Sequence, residues 1–118
     1  MNAQGALLAQ VRPSVTSAVL GFAAQLRTEI TLIVISNTTA SAVNFSLYHD
    51  DNGTTYDQTT ALYYAVQVAA NSTELIQIAS PNAGILLSSG GNLGVQSSTA
   101  NALNFSIYGV TNRIYSNV

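Results

Sequence analysis

Short segments in which apolar and polar residues alternate recur along this chain, and they constrain the fold more than any other feature. The alternation is strict in residues 42–48 and again in residues 102–110. Side chains two positions apart project from the same face of a β-strand, so each segment predicts a strand with one apolar face. The residues expected to face the interior are Val43, Phe45, Leu47, Leu103, Phe105 and Ile107.

The rest of the chain also has the character of short strands. Residues 28–36 are rich in β-branched residues and almost continuously apolar, which predicts a central strand buried on both faces, or on one face with a neighbour covering the other. Further strands are expected within residues 14–22, 61–70 and 73–79, where Leu75 competes with Ile76 or Ile78 for the interior, and on both sides of the Gly-Gly turn in residues 85–98.

Turn residues separate these segments at the regular spacing, roughly 8–12 residues, that is typical of all-β domains. The clearest turn is Asp50–Gly53, because Asn-Gly tolerates the positive φ of tight turns. We therefore predict an all-β fold of about seven or eight short strands. Its architecture is expected to be an antiparallel β-sandwich, jelly-roll-like, over residues 13–118.

Residues 1–12 differ from the rest and are predicted to form an N-terminal arm outside the sandwich domain. The first ten residues are rich in alanine and leucine and precede Pro13. A segment this short does not form a stable isolated helix. Its apolar character indicates an arm that docks on a neighbouring subunit, with Leu7, Leu8 and Val11 as the expected contact residues.

A pentapeptide occurs twice, as Asn-Phe-Ser-Leu-Tyr at Asn44–Tyr48 and as Asn-Phe-Ser-Ile-Tyr at Asn104–Tyr108. No general base accompanies the shared Asn, Ser and Tyr, so a doubled active site is disfavoured. Internal pseudo-symmetry and convergent strand design both explain the repeat. In either case Tyr48 and Tyr108 are expected to face outward, as candidates for a contact surface.

Charged residues make up only 7% of the chain, and lysine and cysteine are absent. Three scattered arginines form no basic patch, which disfavours nucleic-acid binding. The chain contains no run of eighteen consecutive apolar residues, so a membrane span is not expected. A polar surface with so little charge is typical of a protein that its neighbours cover, which favours an oligomer or a particle component, with a secreted or adhesive surface as the second possibility.

Residues for catalysis or for a bound cofactor are not recognisable, and we expect neither an enzyme nor a cofactor. His49 is the only histidine, and no Gly-x-Ser-x-Gly motif accompanies it, so it is interpreted as a solvent-facing loop residue. The segment Asp50–Asp57 lacks the EF-hand pattern, and a cation site of another type in this loop stays as an alternative. The glycine-rich segment Ser88–Gly94 lacks the lysine of a phosphate-binding loop.

The tyrosines are the most promising surface residues, because aromatic side chains are enriched at protein interfaces. We predict an interface that includes Tyr48, Tyr63, Tyr64, Tyr108 and Tyr115. A carbohydrate-stacking face is the alternative, and it is less favoured because no acids or amides accompany the tyrosines at a fixed spacing.

Four steps of the sequence form a recognisable order: Asn37–Thr38, Ala70–Leu75, Leu87–Leu93 and Tyr108–Val110. With these steps the chain resembles small β-sandwich structural proteins of tailed bacteriophages, over roughly Glu29 to Val110. It departs from their pattern at the Gly-Gly step, where those proteins commonly have aspartate.

The resemblance implies a non-enzymatic virion component, assembled in the host cytoplasm. Such a protein would be a decoration or cement protein of the head, with a tail- or fibre-associated adaptor as the alternative. The implied partners are the major capsid protein or other virion proteins, together with further copies of the chain, for which a trimer is one arrangement. Neither nucleic acid nor a membrane is expected as a partner.

Overall fold

The computed structural model describes residues 5–77 and 84–111, which contain nine β-strands and no helix. This confirms the predicted all-β class. The count exceeds the predicted seven or eight strands because the N-terminal segment supplies one. The strands are β1 Ala6–Val11, β2 Val19–Ala23, β3 Thr28–Asn37, β4 Val43–Asp50, β5 Ala61–Val68, β6 Thr73–Gln77, β7 Ile85–Leu87, β8 Asn92–Ser97 and β9 Leu103–Thr111.

The strands form two antiparallel sheets. Sheet 1 has the order β1-β9-β3-β6, with β7 also paired to β3, and sheet 2 has the order β2-β8-β4-β5. The pairs are nested along the chain: β1 with β9, β2 with β8, β3 with β6 and β7, and β4 with β5. A long hairpin whose two arms wind together in this way is a jelly roll, so the predicted sandwich is confirmed and its order is defined.

Strands β6 and β7 follow one another along the same edge of β3. Residues Leu32–Ser36 of β3 pair with β6, and residues Thr28–Ile30 pair with β7. The ladder between β3 and β9 shifts register between Ile30 and Leu32. This irregularity leaves Thr31 as an extra residue in β3, and the edge strand is divided at the same level.

The core lies between the sheets and is built from the inward-facing residue of each alternating pair. All six residues predicted to face the interior are buried, at 2% exposure or less. The rings of Phe45 and Phe105 meet edge to face across the core, with centroids 6.5 Å apart. Strand β3 is central, as predicted, but only its inner face is buried, whereas Leu32 and Val34 on its outer face are half-exposed.

The two pentapeptides occupy equivalent strands of an internally symmetric topology. Sheet 2, read in reverse as β5-β4-β8-β2, matches β1-β9-β3-β6 of sheet 1 position by position. Strands β1 to β4 of the first half of the chain thus correspond to β5, β6, β8 and β9 of the second half. The first pentapeptide lies in β4 and the second in β9, so the topology has the pseudo-symmetry that the repeat suggested.

The predicted N-terminal arm is an edge strand of the sandwich over Ala6–Val11. This segment pairs with β9, and Leu8, Ala9 and Val11 pack against the core. Pairing with β9 satisfies the backbone groups of the segment, which explains why it joins the sheet rather than standing apart. Residues 1–4 of the predicted arm lie outside the described residues.

Candidate interface surfaces

The outer face of sheet 1 presents its side chains in rows that the strand registers define. One row runs across the four strands as Leu7, Tyr108, Leu32 and Gln77, and the next as Gln10, Ser106, Val34 and Leu75. Beyond the first row lie Val110, Glu29 and Leu86, and beyond the second lie Asn104, Ser36 and Thr73. These rows together are called the outer face of sheet 1.

This face is largely apolar, and its side chains on the edge strands are open to solvent. Leu7 is 47% exposed, Leu75 56% and Leu86 40%. Leu32, Val34, Tyr108 and Val110 are half-exposed between them. Exposed apolar side chains that continue across neighbouring strands mark a surface suited to contact another protein.

At each end of the outer face of sheet 1, contacts within the described residues fix a charged side chain. At one end, Glu29 accepts a hydrogen bond at Oε2 from the backbone N–H of Gly84, at 3.0 Å. At the other end, the guanidinium of Arg12 donates to the backbone oxygen of Asn101 at 2.6 Å, to Asn104 Oδ1 at 3.0 Å and to Thr38 Oγ1 at 3.3 Å. The guanidinium is therefore held over the ends of β9 and β3.

The part of the outer face of sheet 2 around Tyr48 and Gly94 is covered by a loop of the chain itself. The ring of Tyr56 stacks on that of Tyr48, with centroids 6.1 Å apart, and it lies directly over Gly94. The hydroxyl of Tyr48 donates to Gln96 Oε1, and Gln96 Nε2 donates to the backbone oxygen of Thr16 at 3.0 Å. Tyr48 therefore lies on the outer side of sheet 2, as predicted, but it is only 2% exposed, and the prediction that it is a contact residue is wrong.

Burial also affects the hydroxyl of Tyr56 in this covering loop. It is buried and has no hydrogen-bond partner among residues 5–77 and 84–111. Burial raises the pKa of Tyr56, and the negative charge of Asp50 raises it further. Both effects disfavour ionisation of this phenol.

Aspartates at the end of β4 hold the covering loop. Asp50 accepts hydrogen bonds from the backbone N–H groups of Asn52 and Thr55, at 3.2 and 2.8 Å. Asp51 Oδ1 accepts one from the backbone N–H of Ser88 at 2.9 Å, and His49 Nε2 lies 3.2 Å from the same oxygen. Hydrogen bonds from Ser88, and then from His49, lower the pKa of Asp51 to about 2.

These contacts assign structural roles to the residues that the sequence analysis considered for chemistry. His49 lies within β4 and is half-buried, so its interpretation as a loop residue is wrong. Within residues 5–77 and 84–111, no group of three or more His, Cys, Asp or Glu side chains could hold a metal ion.

A second exposed apolar surface lies on β5, the edge strand of sheet 2. Its side chains are Leu62 at 43% exposure, Tyr63 at 37% and Tyr64 at 53%, and they are called the β5 patch. The strand is irregular here, since Ala65 has a φ of 53° and its N–H donates to Ser46 Oγ at 2.9 Å. This bulge interrupts the regular pairing with β4. The ring of Tyr63 also packs against that of Phe45, with centroids 6.1 Å apart, so part of Tyr63 contacts the core.

The structure divides the predicted interface residues into three groups. Tyr63 and Tyr64 are exposed in the β5 patch, whereas Leu7 and Tyr108 lie on the outer face of sheet 1. Leu8 and Val11 are half-buried against the core. Tyr48 is buried, and Tyr115 lies outside the described residues.

Sequence reasoning missed three residues of the outer face of sheet 1, namely Leu32, Val34 and Leu75. In β3 nearly every residue is apolar, so the alternation of inward and outward positions was not apparent. Assigning alternate residues of the run to opposite faces would have placed Leu32 and Val34 together on one face. In β6 the interior position went to Ile76, which is 7% exposed, and Leu75 was left outside.

Comparisons with known proteins leave the function to be argued from these surfaces. No family model matches the chain, and no curated protein matches it. Within the described residues there is no helix with the length and apolar character that a membrane crossing requires.

Proposed function

We propose that this chain is a non-enzymatic structural protein of a phage virion, a decoration or cement protein that binds and stabilises the head lattice. The observation that carries the proposal is the presence of two separate exposed apolar surfaces on different sheets. One is the outer face of sheet 1, and the other is the β5 patch of sheet 2. A protein that links neighbours in a shell needs more than one contact surface.

The composition supports an assembly role. Charged residues form 7% of the chain, against about 25% in ordinary soluble domains. Interface cores are depleted of charge and enriched in aromatic residues, which is the character of the β5 patch. Burial of both surfaces in an assembly would remove most of the large apolar side chains from solvent.

Fold and sequence pattern add further support. Jelly rolls occur in viral capsid proteins, and they also occur in lectins, so the fold alone does not define the function. The sequence resemblance to phage structural proteins favours the first use. A tail or fibre adaptor would satisfy the same surfaces, and the two differ in the number of copies on each particle.

Cryo-electron microscopy of purified virions, together with quantitative mass spectrometry, tests the proposal. We expect hundreds of copies on the head surface. A few to tens of copies at the tail would replace the decoration role with the adaptor role. Absence of the protein from the virion would overturn both.

A binding assay with matched variants tests the β5 patch. Tyr64→Asp should abolish binding to particles that lack the protein, because a charge would then be buried in the contact. Leu20→Asp is the control, since Leu20 is 48% exposed on β2 of the same sheet. It should bind like the wild type. Equal binding by Tyr64→Asp and the wild type would remove the β5 patch from the lattice contact.

Deletion of residues 1–11 is unsuitable as a test of particle binding, because it removes β1 from sheet 1. Loss of binding by that deletion would report unfolding as readily as a lost contact. The point variant Leu7→Asp changes the exposed side of β1 and leaves Leu8, Ala9 and Val11 in place against the core.

Carbohydrate binding is the second candidate function, and the exposure of Tyr63 and Tyr64, at 37% and 53%, is the observation that favours it. Sugars stack on exposed aromatic rings. A glycan array should show binding that Tyr63→Ala and Tyr64→Ala abolish if this is the function. An array without any binding by the wild-type chain would exclude the glycans it carries.

A further inference from the structure

The outer face of sheet 1 has its opposite charges at opposite ends. Glu29 lies at one end, paired across the sheet with Val110 and Leu86. The guanidinium of Arg12 lies at the other end, over Asn104. Within the described residues, no other charged side chain lies in the rows of this face. The face therefore has a negative charge at one end of its strands and a positive charge at the other.

This separation of charge makes the face complementary to itself under one particular two-fold rotation. The axis lies between two copies, parallel to the faces and perpendicular to the strands. The rotation reverses the order of the rows and keeps each strand opposite its own counterpart. Glu29 of β3 then comes opposite the far end of β3 in the second copy.

The guanidinium of Arg12 occupies that far end. Although Arg12 follows β1, its Nη1 donates to Thr38, immediately after β3, as well as to Asn104 of β9. Each Glu29 therefore comes close to the Arg12 guanidinium of the second copy, twice in each pair. Such an isologous contact is the kind that closes a two-fold dimer.

The same rotation brings apolar side chains together in the middle of the face. The row of Leu32 is placed opposite the row of Val34, so these two side chains meet across the contact in both directions. A two-fold axis parallel to the strands would instead bring Glu29 against Glu29. Like charges in contact disfavour that arrangement, so the charges select one orientation.

We propose that the outer face of sheet 1 pairs face to face with the same face of a second copy of this chain. This inference rests on the proposed function in treating the face as an assembly contact, and it names the neighbour. The β5 patch, on the other sheet, is then left free for the lattice.

The size of the face determines how strong the pair can be. From Glu29 to Ser36 the strands extend about 23 Å, and four strands span about 19 Å, which gives about 440 Å² of projected face on each copy. Two copies bury about 900 Å² in this way, below the 1,200–2,000 Å² of stable complexes. The free protein should therefore dimerise weakly and become paired mainly at high local concentration.

Sedimentation velocity of the free chain, at concentrations between about 10 µM and 1 mM, tests this pair directly. The wild type should shift from monomer to dimer across this range. Glu29→Arg should weaken the dimer at least about tenfold, because it places two guanidinium groups together. The combined variant Arg12→Glu with Glu29→Arg restores opposite charges and should recover most of that loss.

Two controls separate the contact from folding. Each variant must keep the wild-type circular dichroism spectrum and a cooperative thermal transition. Leu75→Asp, at a site 56% exposed on this face, should also abolish the dimer, whereas Leu20→Asp, 48% exposed on sheet 2, should not.

The proposal fails if the wild type stays monomeric at every concentration, if Glu29→Arg dimerises like the wild type, or if Leu20→Asp disrupts the dimer as strongly as Leu75→Asp does. A dimer in solution without any copies on virions would overturn the proposed function and leave the pair intact. Copies on virions with a strictly monomeric free chain would overturn the pair alone.

Discussion

In β4 and β9 nearly the same five residues are packed identically on one face and differently on the other. Phe45 with Leu47, and Phe105 with Ile107, enter the core from opposite sheets. On the outer side, Tyr48 is covered by Tyr56, whereas Tyr108 is half-exposed on an open sheet. Equivalent positions in a pseudo-symmetric fold thus share an interior and differ in the segments that pack outside them.

The unequal exposure of Tyr48 and Tyr108 indicates where a contact surface can lie. A loop of the chain itself covers the tyrosine of β4, so that side has already used its apolar surface in folding. Within the part of the chain that the structure describes, no loop is stacked on the tyrosine of β9, and it joins Leu7 and Leu32 in a row of the outer face of sheet 1. The open copy of the repeat is the one that remains available for a partner.

Substitutions of the core residues that the two repeats share should give the largest losses of stability. Phe45→Ala and Phe105→Ala should each lower the free energy of unfolding by about 3–5 kcal/mol, since each removes a fully buried ring and leaves a cavity. Urea denaturation followed by circular dichroism measures both. Similar costs would show that the two repeats contribute equally, whereas a cost near zero for either would contradict its position in the core.

A double-mutant cycle sharpens the same point. The rings meet edge to face at 6.5 Å, so the two changes should be coupled by about 0.5–1.5 kcal/mol. Strict additivity would show that the two phenylalanines do not interact across the sheets.

The two tyrosines should give unequal effects. Tyr48→Ala should cost about 3 kcal/mol, because it removes a buried ring and the hydrogen bond to Gln96. Tyr108→Ala should cost about 1 kcal/mol or less, since its ring is half-exposed. Parallel urea titrations compare them, and equal costs would refute the claim that only one outer face is covered.

A substitution at Gly94 should displace the covering ring of Tyr56. A Cβ at this position would lie 2.7 Å from the ring of Tyr56, which is closer than real contacts allow. Gly94→Ala should therefore push Tyr56 away from Tyr48 and cost about 1–3 kcal/mol. Thermal unfolding and tyrosine near-ultraviolet circular dichroism would report both effects.

Gly5→Ala provides the matched control, because the nearest atom to its new Cβ would be 4.0 Å away. It should leave the unfolding temperature nearly unchanged. If both glycine variants behave alike, the contact between Gly94 and Tyr56 is unimportant to the cover.

The smallest effect concerns the anchor of the covering loop. The pKa of Asp51 is lowered from 3.8 to about 2, so its stabilising contribution is present above pH 3.8 and is lost as the pH falls through about 2. Asp51 is largely exposed, which limits that contribution to below about 1 kcal/mol. The wild type should exceed Asp51→Asn in stability near neutral pH, and the difference should vanish in strong acid.

Urea midpoints of the two proteins across this pH range are the measurement. A difference that stays constant with pH would show that Asp51 acts only through the shape of the loop. A larger stability of Asp51→Asn at neutral pH would contradict the hydrogen bonds to Ser88 as a source of stabilisation.

Local sequence predicted the strands well because alternation and turn residues act over a few positions. The inner faces of β4 and β9 followed from the period of two alone. Which of Leu75 and Ile76 faces the core could not be predicted in this way, since either residue of a short edge strand can do so. The register with β3 decides it, because Ile76 pairs with buried Ile33 and Leu75 pairs with half-exposed Val34.

The candidate surfaces were predicted less completely. Tyr63 and Tyr64 were predicted from residue type, because aromatic side chains are enriched at interfaces, and Leu7 was predicted from the apolar character of the N-terminal segment. The burial of Tyr48 was not predicted, since it depends on the loop after β4, which returns over the outer side of the sheet. Burial by a loop leaves no periodic trace in the strand that it covers.

Local sequence was enough to predict the all-β class, the positions of most strands and the inward residues of the repeated pentapeptide, because side-chain direction in a strand is a local property. The pairing of the N-terminal segment with β9 and the equivalence of β4 and β9 depend on contacts between residues far apart in the chain, which are fixed by how the two sheets close around one core. The cover of Tyr48 by Tyr56 depends on how the loop after β4 folds back over its own sheet.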